Sequence, residues 1–264
     1  MNHGAPADDG PGVIGVIGVG ALAAAIVTGL CDGVDRPPQV LLSPRGAATA
    51  ADLAARFPSV AIAPDNQAVA DGAGIVIVCV RSQDAEAVLR GVDLSAEHVV
   101  VSALADVSLD QLAALAAPAT RVARAMPLPS VAGRDGLTPV YPPLPEVADL
   151  FERLGGSLAV TDEDAFAAIV ATAATIAGHL NYLGAIASWL GARGVPEEEA
   201  QRYVTATYGA LAGQLRGGAD LAGLTAEVAT PGGLNEQFAR QLREAGVYDA
   251  VDRELTAVLA RIRG

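Results

Sequence analysis

A glycine-rich turn near the start of the sequence constrains the fold of this chain more than any other feature. The run from Val13 to Ile17 is rich in β-branched residues and uncharged, which is typical of a strand buried on both faces of a parallel sheet. The segment Gly18–Ala23 follows with the pattern G-x-G-x-x-A and leads into an alanine-rich stretch. In this pattern the glycines permit a tight turn and a close approach of the backbone to a pyrophosphate. The order strand, turn and helix therefore predicts a dinucleotide-binding fold rather than an ordinary glycine turn.

The second predicted strand indicates which dinucleotide is bound. The diphosphate is expected beside Gly18 and Gly20, on the free N–H groups of the first helix. In this fold an acid after the second strand holds the ribose of NAD, whereas arginine or small polar residues accommodate the extra phosphate of NADP. The strand ends here at Ser43-Pro44-Arg45 without a carboxylate, so the sequence favours NADPH over NADH, with Ser43 and Arg45 as phosphate ligands. The alternative is an exposed turn with a solvated arginine.

Charge and residue types exclude several classes of function. The net charge of −13 argues against nucleic acid or an anionic membrane as a partner, and no apolar run is expected to be long enough to span a bilayer. All 17 basic residues are arginine, so chemistry that needs a lysine Schiff base or a catalytic ammonium is excluded. The three histidines are scattered and there is no C-x-x-C pair, so we expect no metal site, and Cys31 and Cys79 are expected to be buried thiols.

The sequence pattern changes near residue 160 and predicts two domains. Residues 1–10 lack the features of a secretory signal and are expected to form a disordered tail of a cytoplasmic protein. Residues 11–160 alternate strand-like runs with helical patterns, which predicts an NADP-binding Rossmann-type α/β domain with a doubly wound, mostly parallel sheet. Residues 161–264 show only helical patterns and are expected to form an all-α dimerisation and substrate domain. The protein is accordingly expected to be a homodimer or a higher homo-oligomer.

The predicted elements are as follows. The strands are Val13–Ile17, Val40–Ser43, Val60–Ala63, Ile75–Val80, His98–Leu104, Arg121–Met126, Leu137–Tyr141 and Ser157–Val160. The helices between them include Ala47–Arg56, Asp84–Arg90, Leu109–Leu115 and about 146–154. The C-terminal helices are predicted at about 162–192, 197–215, 219–228, 234–245 and 247–262. The first of these is apolar around its whole circumference, which favours burial at a dimer interface.

With these elements placed, the chain resembles the pyrroline-5-carboxylate reductases from Gly12 to Gly264. The family motifs G-x-G-N-M-A, D-N, V-K-P-Q, R-x-M-P-N-T-P and S-P-G-G-x-T all have counterparts. The matching segments are Gly18–Ala23, Asp65–Asn66, Val80–Gln83, Arg124–Pro127 and Thr230–Asn235, of which the last is the most specific. The resemblance adds five residues to the predicted cofactor contacts, namely Ala21, Leu22, Asn66, Val80 and Arg81.

The resemblance implies NADPH-dependent reduction of a cyclic imine that carries a carboxylate, with a dimer of helical domains forming the substrate site. Thr230, Gly232 and Gly233 would bind the substrate carboxylate. The segment itself supports this role, because two glycines between a proline and a helix start can present bare N–H groups at the positive end of the helix dipole. The alternative is a plain Pro-Gly turn between helices.

Three departures from the family pattern indicate an altered substrate. The family motif G-S-G-P-A-Y is absent from residues 173–178, and Leu128 replaces the asparagine of the sixth-strand motif. Asn235 stands where the family has a threonine, whose hydroxyl would serve as a proton relay.

The proton donor is predicted on the first C-terminal helix. His179, Tyr182, Ile186 and Trp189 form one helical stripe, and Tyr182 is the first candidate, with His179 the second. The alternative is that both pack in a core or an interface. Ser102, Thr138 and Asn181 are weaker polar candidates.

Two other functions stay open from the sequence. The same frame suits a reductase of ketones or aldehydes, including 2-oxo acids. It also suits a dimer that binds a nucleotide without catalysis, because the motif expected at residues 173–178 is missing while the Thr230–Gly233 loop is kept.

Overall fold

The computed structural model of the chain describes residues 12–215, 218 and 220–263, so the predicted tail 1–10 lies outside the described residues. By their internal contacts these residues divide into two units. The sheet unit contains residues 12–170 together with 262 and 263, and the helical unit contains Ala171–Arg261.

The sheet unit contains eight strands, at every place where the sequence predicts one. They lie in the order β3-β2-β1-β4-β5-β6-β7-β8. Only the pairing of β6 with β7 is antiparallel, so β7 and β8 run opposite to the six other strands. The strands are β1 Ile14–Ile17, β2 Val40–Leu42, β3 Val60–Ile62, β4 Ile75–Val78, β5 Val99–Ser102, β6 Arg121–Ala125, β7 Thr138–Tyr141 and β8 Ser157–Ala159. This confirms the predicted doubly wound, mostly parallel Rossmann-type sheet.

Alternation along the central strands builds a separate core on each face of the sheet. On β4, for example, Ile77 joins one core cluster, whereas Val76 and Val78 join the other. Every residue of β1, β4 and β5 is buried. These strands can be uniformly apolar because helices cover both faces of a parallel sheet.

Six helices, one short 3-10 helix and part of a seventh helix accompany the strands. They are α1 Ala21–Cys31, α2 Ala47–Arg56, α3 Asn66–Gly72, α4 Ser82–Arg90, α5 Leu109–Ala116, the 3-10 helix Pro129–Gly133, α6 Pro145–Glu152 and α7 Glu163–Thr172. Helix α3 is absent from the predicted elements. It has only seven residues, and the carboxylate of Asp65 caps it by accepting a hydrogen bond from the N–H of Ala68 at 2.8 Å.

The strand order reverses between β1 and β4, and this reversal positions the candidate site. After β1 the chain builds β2 and β3 on one side and then crosses to β4 on the other side of β1. Ligands of open α/β sheets bind in the crevice at the carboxyl ends of the strands where the order reverses. The glycine turn that follows β1 lies at this edge.

The helical unit leaves much of its apolar surface exposed in the single chain. Its helices are α8 Thr175–Gly191, α9 Glu197–Gln214, α10 Leu221–Val228, α11 Leu234–Glu244 and α12 Val247–Arg263, the last of which ends in the sheet unit. Among the described residues, only Ala200 and Val204 of these helices are fully buried. Leu180, Trp189 and Phe238 are each more than half exposed.

The single long helix predicted at 162–192 is wrong in one respect. A turn at Ala173 and Ala174 divides it into α7 and α8. Among the described residues, Glu163–Gly191 is the one stretch long and apolar enough to cross a membrane, by length and composition alone, so the expectation that no apolar run is long enough is wrong. A single such stretch is weak evidence of a membrane span, since core helices of soluble proteins have the same composition.

Candidate functional site

A cavity of about 260 Å³ lies at the carboxyl ends of β1, β2 and β4. Three loops form it: the glycine turn after β1, the loop from β2 to α2, and the loop from β4 to α4. The lining residues are Gly18, Val19, Gly20, Arg45, Gly46, Cys79, Val80, Arg81 and Asp84. The cavity thus brings together predicted cofactor contacts from three separate parts of the sequence.

The two glycines of the turn have different roles in its geometry. Gly18 has a φ of +92°, and a Cβ there would lie 2.7 Å from Cγ1 of Val80 and 2.8 Å from the carbonyl oxygen of Cys79. Gly20 has an ordinary φ of −98°, and a Cβ there would meet no heavy atom within 4 Å. Gly18 is therefore required by the fold itself, whereas the absence of a side chain at Gly20 keeps space open in the cavity.

The start of α1 faces this space with free hydrogen-bond donors. Gly20 is the N-cap of α1, and no side chain caps the helix there. Ala21 and Leu22 form the first turn, where backbone N–H groups have no acceptor within the helix. Uncapped N–H groups beside an open cavity are the arrangement that binds a diphosphate at a helix N-terminus, so the residues present fit a dinucleotide.

Ser43 has a different contact from the predicted one. Its side chain is fully buried, and its hydroxyl accepts a hydrogen bond of 2.9 Å from the N–H of Gly18. This bond ties the end of β2 to the glycine turn. Ser43 therefore holds the turn in place, and its full burial keeps the hydroxyl away from the open space of the cavity.

Arg45 and Arg81 converge on one carboxylate at the cavity. Oδ2 of Asp84 lies 3.0 Å from Nη2 of Arg45 and 3.4 Å from Nε of Arg81. The side chains of the two arginines are 60% and 71% exposed, whereas that of Asp84 is 23% exposed. Asp84 could not be predicted as a site residue from the sequence, because its proximity to Arg45, 39 residues away, arises only from the sheet topology.

Gly46 is a second residue that the sequence analysis missed. It has a φ of +89°, and a Cβ there would lie 2.2 Å from the carbonyl oxygen of Val19. Since this position tolerates only glycine, the loop after β2 can pack directly on the turn after β1. The signal in the sequence was a glycine directly after Arg45, at the start of a helix.

Asn66 was predicted to contact the cofactor, and the two cysteines were predicted to be buried thiols. Asn66 begins α3 and is not among the lining residues, whereas Val80 is. Cys31 is buried as expected, whereas Cys79 is only partly buried; it lies in the cavity wall, where desolvation raises the pKa of its thiol to about 12. Both thiols are free, and no cluster of potential metal ligands occurs within the described ranges.

The weaker polar candidates lie in contrasting environments. Ser102 and Thr138 are buried, and neither hydroxyl has a hydrogen-bond partner in the part of the chain that the structure describes. Asn181 is exposed on α8.

Arg124, from the R-x-M-P segment, is buried and forms an ion pair with a partly exposed glutamate. Its Nη1 lies 2.8 Å from Oε1 of Glu163, its Nη2 donates to the carbonyl oxygen of Ala105 at 2.9 Å, and its guanidinium stacks 4.7 Å from the ring centroid of Phe166. Burial lowers the pKa of Arg124, while Glu163 opposes this shift. The same carboxylate oxygen accepts the N–H of Leu109 at 2.9 Å. These contacts join β6, α5 and α7.

The predicted proton donors lie in an aromatic cluster of the helical unit. The ring centroids of His179 and Tyr182 are 6.4 Å apart, and each lies 6.3 Å from that of Tyr208 on α9. Desolvation, and then a hydrogen bond with Tyr208, raise the pKa of Tyr182 to about 12. Tyr208 was not predicted from the sequence, because only the packing of α8 on α9 brings it to this stripe.

The loop predicted to bind a carboxylate already binds one from this chain. The N–H of Gly232 donates to Oε2 of Glu236 at 2.6 Å, and the N–H of Gly233 donates to the carbonyl oxygen of Thr230 at 2.8 Å. The expectation of bare N–H groups at this loop is therefore wrong for both glycines. The side-chain amide of Asn235 donates to the carbonyl oxygen of Val228 at 3.0 Å. Glu236 thus shows that Gly232 can bind a carboxylate, and it also occupies that donor.

Two family models match the chain. The model for NADP oxidoreductases, coenzyme F420-dependent, matches residues 13–106. The model for pyrroline-5-carboxylate reductase dimerisation matches residues 162–264. The second match supports homo-oligomerisation and agrees with the exposed apolar surface of the helical unit.

Known relatives match nearly the whole chain. A pyrroline-5-carboxylate reductase of Corynebacterium melassecola is 27% identical over 263 residues, which cover 94% of this chain and 96% of the relative. The solved 1-pyrroline-5-carboxylate reductase of Streptococcus pyogenes has a TM-score of 0.79 at 23% identity, covering 95% of this chain and 98% of that one. The pyrroline carboxylate reductase of Plasmodium falciparum, solved with NADP bound, has a TM-score of 0.75 at 13% identity, with 95% and 96% covered. The two solved structures support the fold.

Proposed function

The chain belongs to the pyrroline-5-carboxylate reductase family, and on this premise we propose that it uses NADPH to reduce the C=N bond of a small cyclic imine. The family supports an NAD(P)-dependent oxidoreductase. The choice of NADPH, the identity of the imine and the residues that act on it are our proposal. The observation that carries it is the cavity beside Gly20, which combines open space, the uncapped start of α1 and two arginines.

The proposed nucleotide contacts divide between the diphosphate and the adenosine phosphate of NADPH. Gly18 and Gly20, with the N–H groups of Ala21 and Leu22, would hold the diphosphate. Arg45 and Arg81 would bind the phosphate on the ribose, because guanidinium groups form strong charge-assisted hydrogen bonds to phosphate oxygens. In this proposal Ser43 contributes by holding Gly18 rather than by touching phosphate.

The proposal retains Val80 and Asn66 as peripheral contacts of the nucleotide. Val80 lines the cavity and presents an apolar surface. Asn66 stands at the start of α3, next to the Asp65 cap, outside the lining residues.

NADPH, when bound, supplies the hydride, so the chain has to hold the substrate and deliver a proton to its nitrogen. We assign proton delivery to the cluster of His179, Tyr182 and Tyr208. A phenol with a pKa of about 12 releases its proton poorly at neutral pH, which makes Tyr182 the weaker donor. His179 stacks on Tyr182 in the same cluster, and an imidazole can donate a proton, so His179 becomes the first candidate.

The substrate carboxylate is proposed to bind at Thr230, Gly232 and Gly233, with Asn235 supporting the loop. Binding at Gly232 requires Glu236 to leave, since a backbone N–H cannot fully satisfy two carboxylates at once. The altered substrate is proposed from the departures at residues 173–178, Leu128 and Asn235. We further propose a homodimer, or a higher homo-oligomer, in the cytoplasm.

A substrate panel tests this function. Purified protein is mixed with NADPH and, separately, with cyclic imines that carry a carboxylate, cyclic imines without one, and 2-oxo acids, and the loss of NADPH absorbance is followed. We expect turnover with at least one imine, a maximal rate that falls about 100-fold or more in His179→Gln, and a rate within about fivefold of the wild type in Tyr182→Phe. Turnover of 2-oxo acids alone would favour the carbonyl reductase. Coenzyme binding without any turnover would favour a non-catalytic dimer.

A further inference from the structure

Asp84 supplies the cavity with the acid that is missing after β2. We propose that Asp84 is a specificity-determining residue, which opposes the adenosine phosphate of NADP and accepts the ribose hydroxyls of NAD. The inference rests on the proposed function, because it concerns the same nucleotide site. The sequence favours NADPH because no carboxylate follows β2, and Asp84 is expected to reduce that preference.

The geometry places Asp84 where it competes for the phosphate-binding groups. A single oxygen, Oδ2, accepts from Arg45 at 3.0 Å and lies 3.4 Å from Nε of Arg81. A phosphate can use other N–H groups of these arginines, but it would still share both guanidinium cations with the nearby carboxylate of Asp84. Two anions that share the same donors repel each other, and this repulsion lowers the affinity for the phosphate.

The carboxylate of Asp84 is held more firmly in place than the guanidinium groups of the two arginines. Asp84 lies in the first turn of α4, and its N–H donates to the carbonyl oxygen of Arg81 at 2.8 Å. Its side chain is short and 23% exposed, whereas those of Arg45 and Arg81 are long and at least 60% exposed. A bound phosphate can therefore draw the arginines outward, but it cannot move the carboxylate far away.

The same carboxylate suits NAD. In dinucleotide-binding folds an acid holds the ribose hydroxyls of NAD, and it normally follows the second strand. Here the loop after β2 carries Arg45, and the acid instead comes from the segment after β4, on the opposite side of β1. The arginines favour NADPH and Asp84 favours NADH. The wild-type protein is therefore expected to bind both coenzymes, with only a modest preference for NADPH.

Coenzyme titrations of four proteins test the inference. NADPH and NADH are titrated into the wild type, Asp84→Asn, Asp84→Glu and Asp52→Asn, with binding followed by calorimetry. Asp52 is the matched control, because it pairs with Arg56 at 3.3 Å on the surface of α2 and its replacement changes the net charge equally. Thermal unfolding of each variant establishes that it is folded.

The expected result is a change in the ratio of the two affinities. Asp84→Asn should bind NADPH about tenfold more tightly and NADH about three- to tenfold more weakly, as expected when a charged hydrogen-bonding partner is neutralised. Asp84→Glu keeps the charge and should retain most of the wild-type ratio, and Asp52→Asn should leave it within about twofold. If the ratio of the NADPH and NADH affinities were unchanged in a folded Asp84→Asn protein, or if both affinities fell equally, the role of Asp84 would be refuted while the proposed function would stand. Absence of binding of either coenzyme to the wild type would overturn the proposed function as well.

Discussion

Replacing Gly20 by alanine separates the folding of the glycine turn from its proposed ligand. The backbone at Gly20 suits any residue, and the new methyl group would meet no atom of the protein within 4 Å. Alanine restricts the unfolded chain more than glycine but is a weaker N-cap, so the free energy of unfolding should change by less than about 1 kcal/mol. The methyl group would instead project into the open space that a diphosphate is proposed to fill. Overpacking of this kind costs about 1–3 kcal/mol, which corresponds to a loss of about 5- to 150-fold in affinity.

Gly18→Ala provides the contrast. A left-handed backbone costs a non-glycine residue about 1–2 kcal/mol, and the added carbon would also overlap Val80 and the carbonyl oxygen of Cys79. We expect both the melting temperature and the affinity to fall, with about 2–4 °C lost for each kcal/mol. Gly74→Ala is the control, because a Cβ there also meets no atom within 4 Å and the residue precedes β4, away from the cavity.

The assay combines thermal unfolding with NADPH titration for the three variants. The reasoning predicts a stable Gly20→Ala protein that binds weakly, a destabilised Gly18→Ala protein and an unaffected Gly74→Ala protein. If Gly20→Ala bound NADPH within about twofold of the wild type, the diphosphate could not lie against Gly20, and the assignment of the cavity would be refuted.

Three further predictions follow from other contacts. Glu163→Gln removes the charge that pairs with the buried Arg124. Because Glu163 is 37% exposed, the free energy of unfolding should fall by only about 1–3 kcal/mol in urea titrations. A loss below about 0.5 kcal/mol would contradict this prediction. The pKa of Cys79 is raised from 9.0 to about 12, so the contribution of this thiol to stability is complete below pH 9 and is lost as the pH rises towards 12. Cys79→Ala should therefore reduce the fall in the free energy of unfolding over this pH range. An equally steep fall in Cys79→Ala would contradict the prediction. Glu236→Ala frees the N–H of Gly232 and should lower KM several-fold for imines with a carboxylate but not for neutral imines; an equal effect on both would exclude competition at this loop.

The sheet could be predicted because its signal is local. Runs such as Ile75–Val78 are apolar at every position, which is typical of strands covered on both faces, and all eight predicted strands are present. Helix α3 escaped prediction, since seven residues that include Gly72 carry little helical periodicity. The turn at Ala173 and Ala174 was hidden for the opposite reason, because alanine favours the helix that it interrupts.

Only those site residues that belong to recognisable sequence motifs could be predicted. The turn Gly18–Ala23 and Arg45 were identified from the sequence, and they do meet at one cavity, to which Arg45, Gly18 and Gly20 contribute lining atoms. Asp84 was missed because it comes close to Arg45 only when β1 lies between β2 and β4.

Hydrogen-bond partners likewise depend on the folded chain. No pattern of residues indicates that Ser43 binds Gly18 or that Glu236 binds Gly232, because each pair forms only when loop and helix take their final geometry. Tyr208 joins His179 and Tyr182 through the packing of α8 on α9.

The most direct test of the account is a crystal structure of the protein grown with NADP. The account predicts a diphosphate within hydrogen-bond distance of the N–H groups that follow Gly20, at the start of α1, with the adenosine phosphate beside Arg45 and Arg81. A nucleotide bound elsewhere on the chain, or a cavity left empty at saturating NADP, would contradict it.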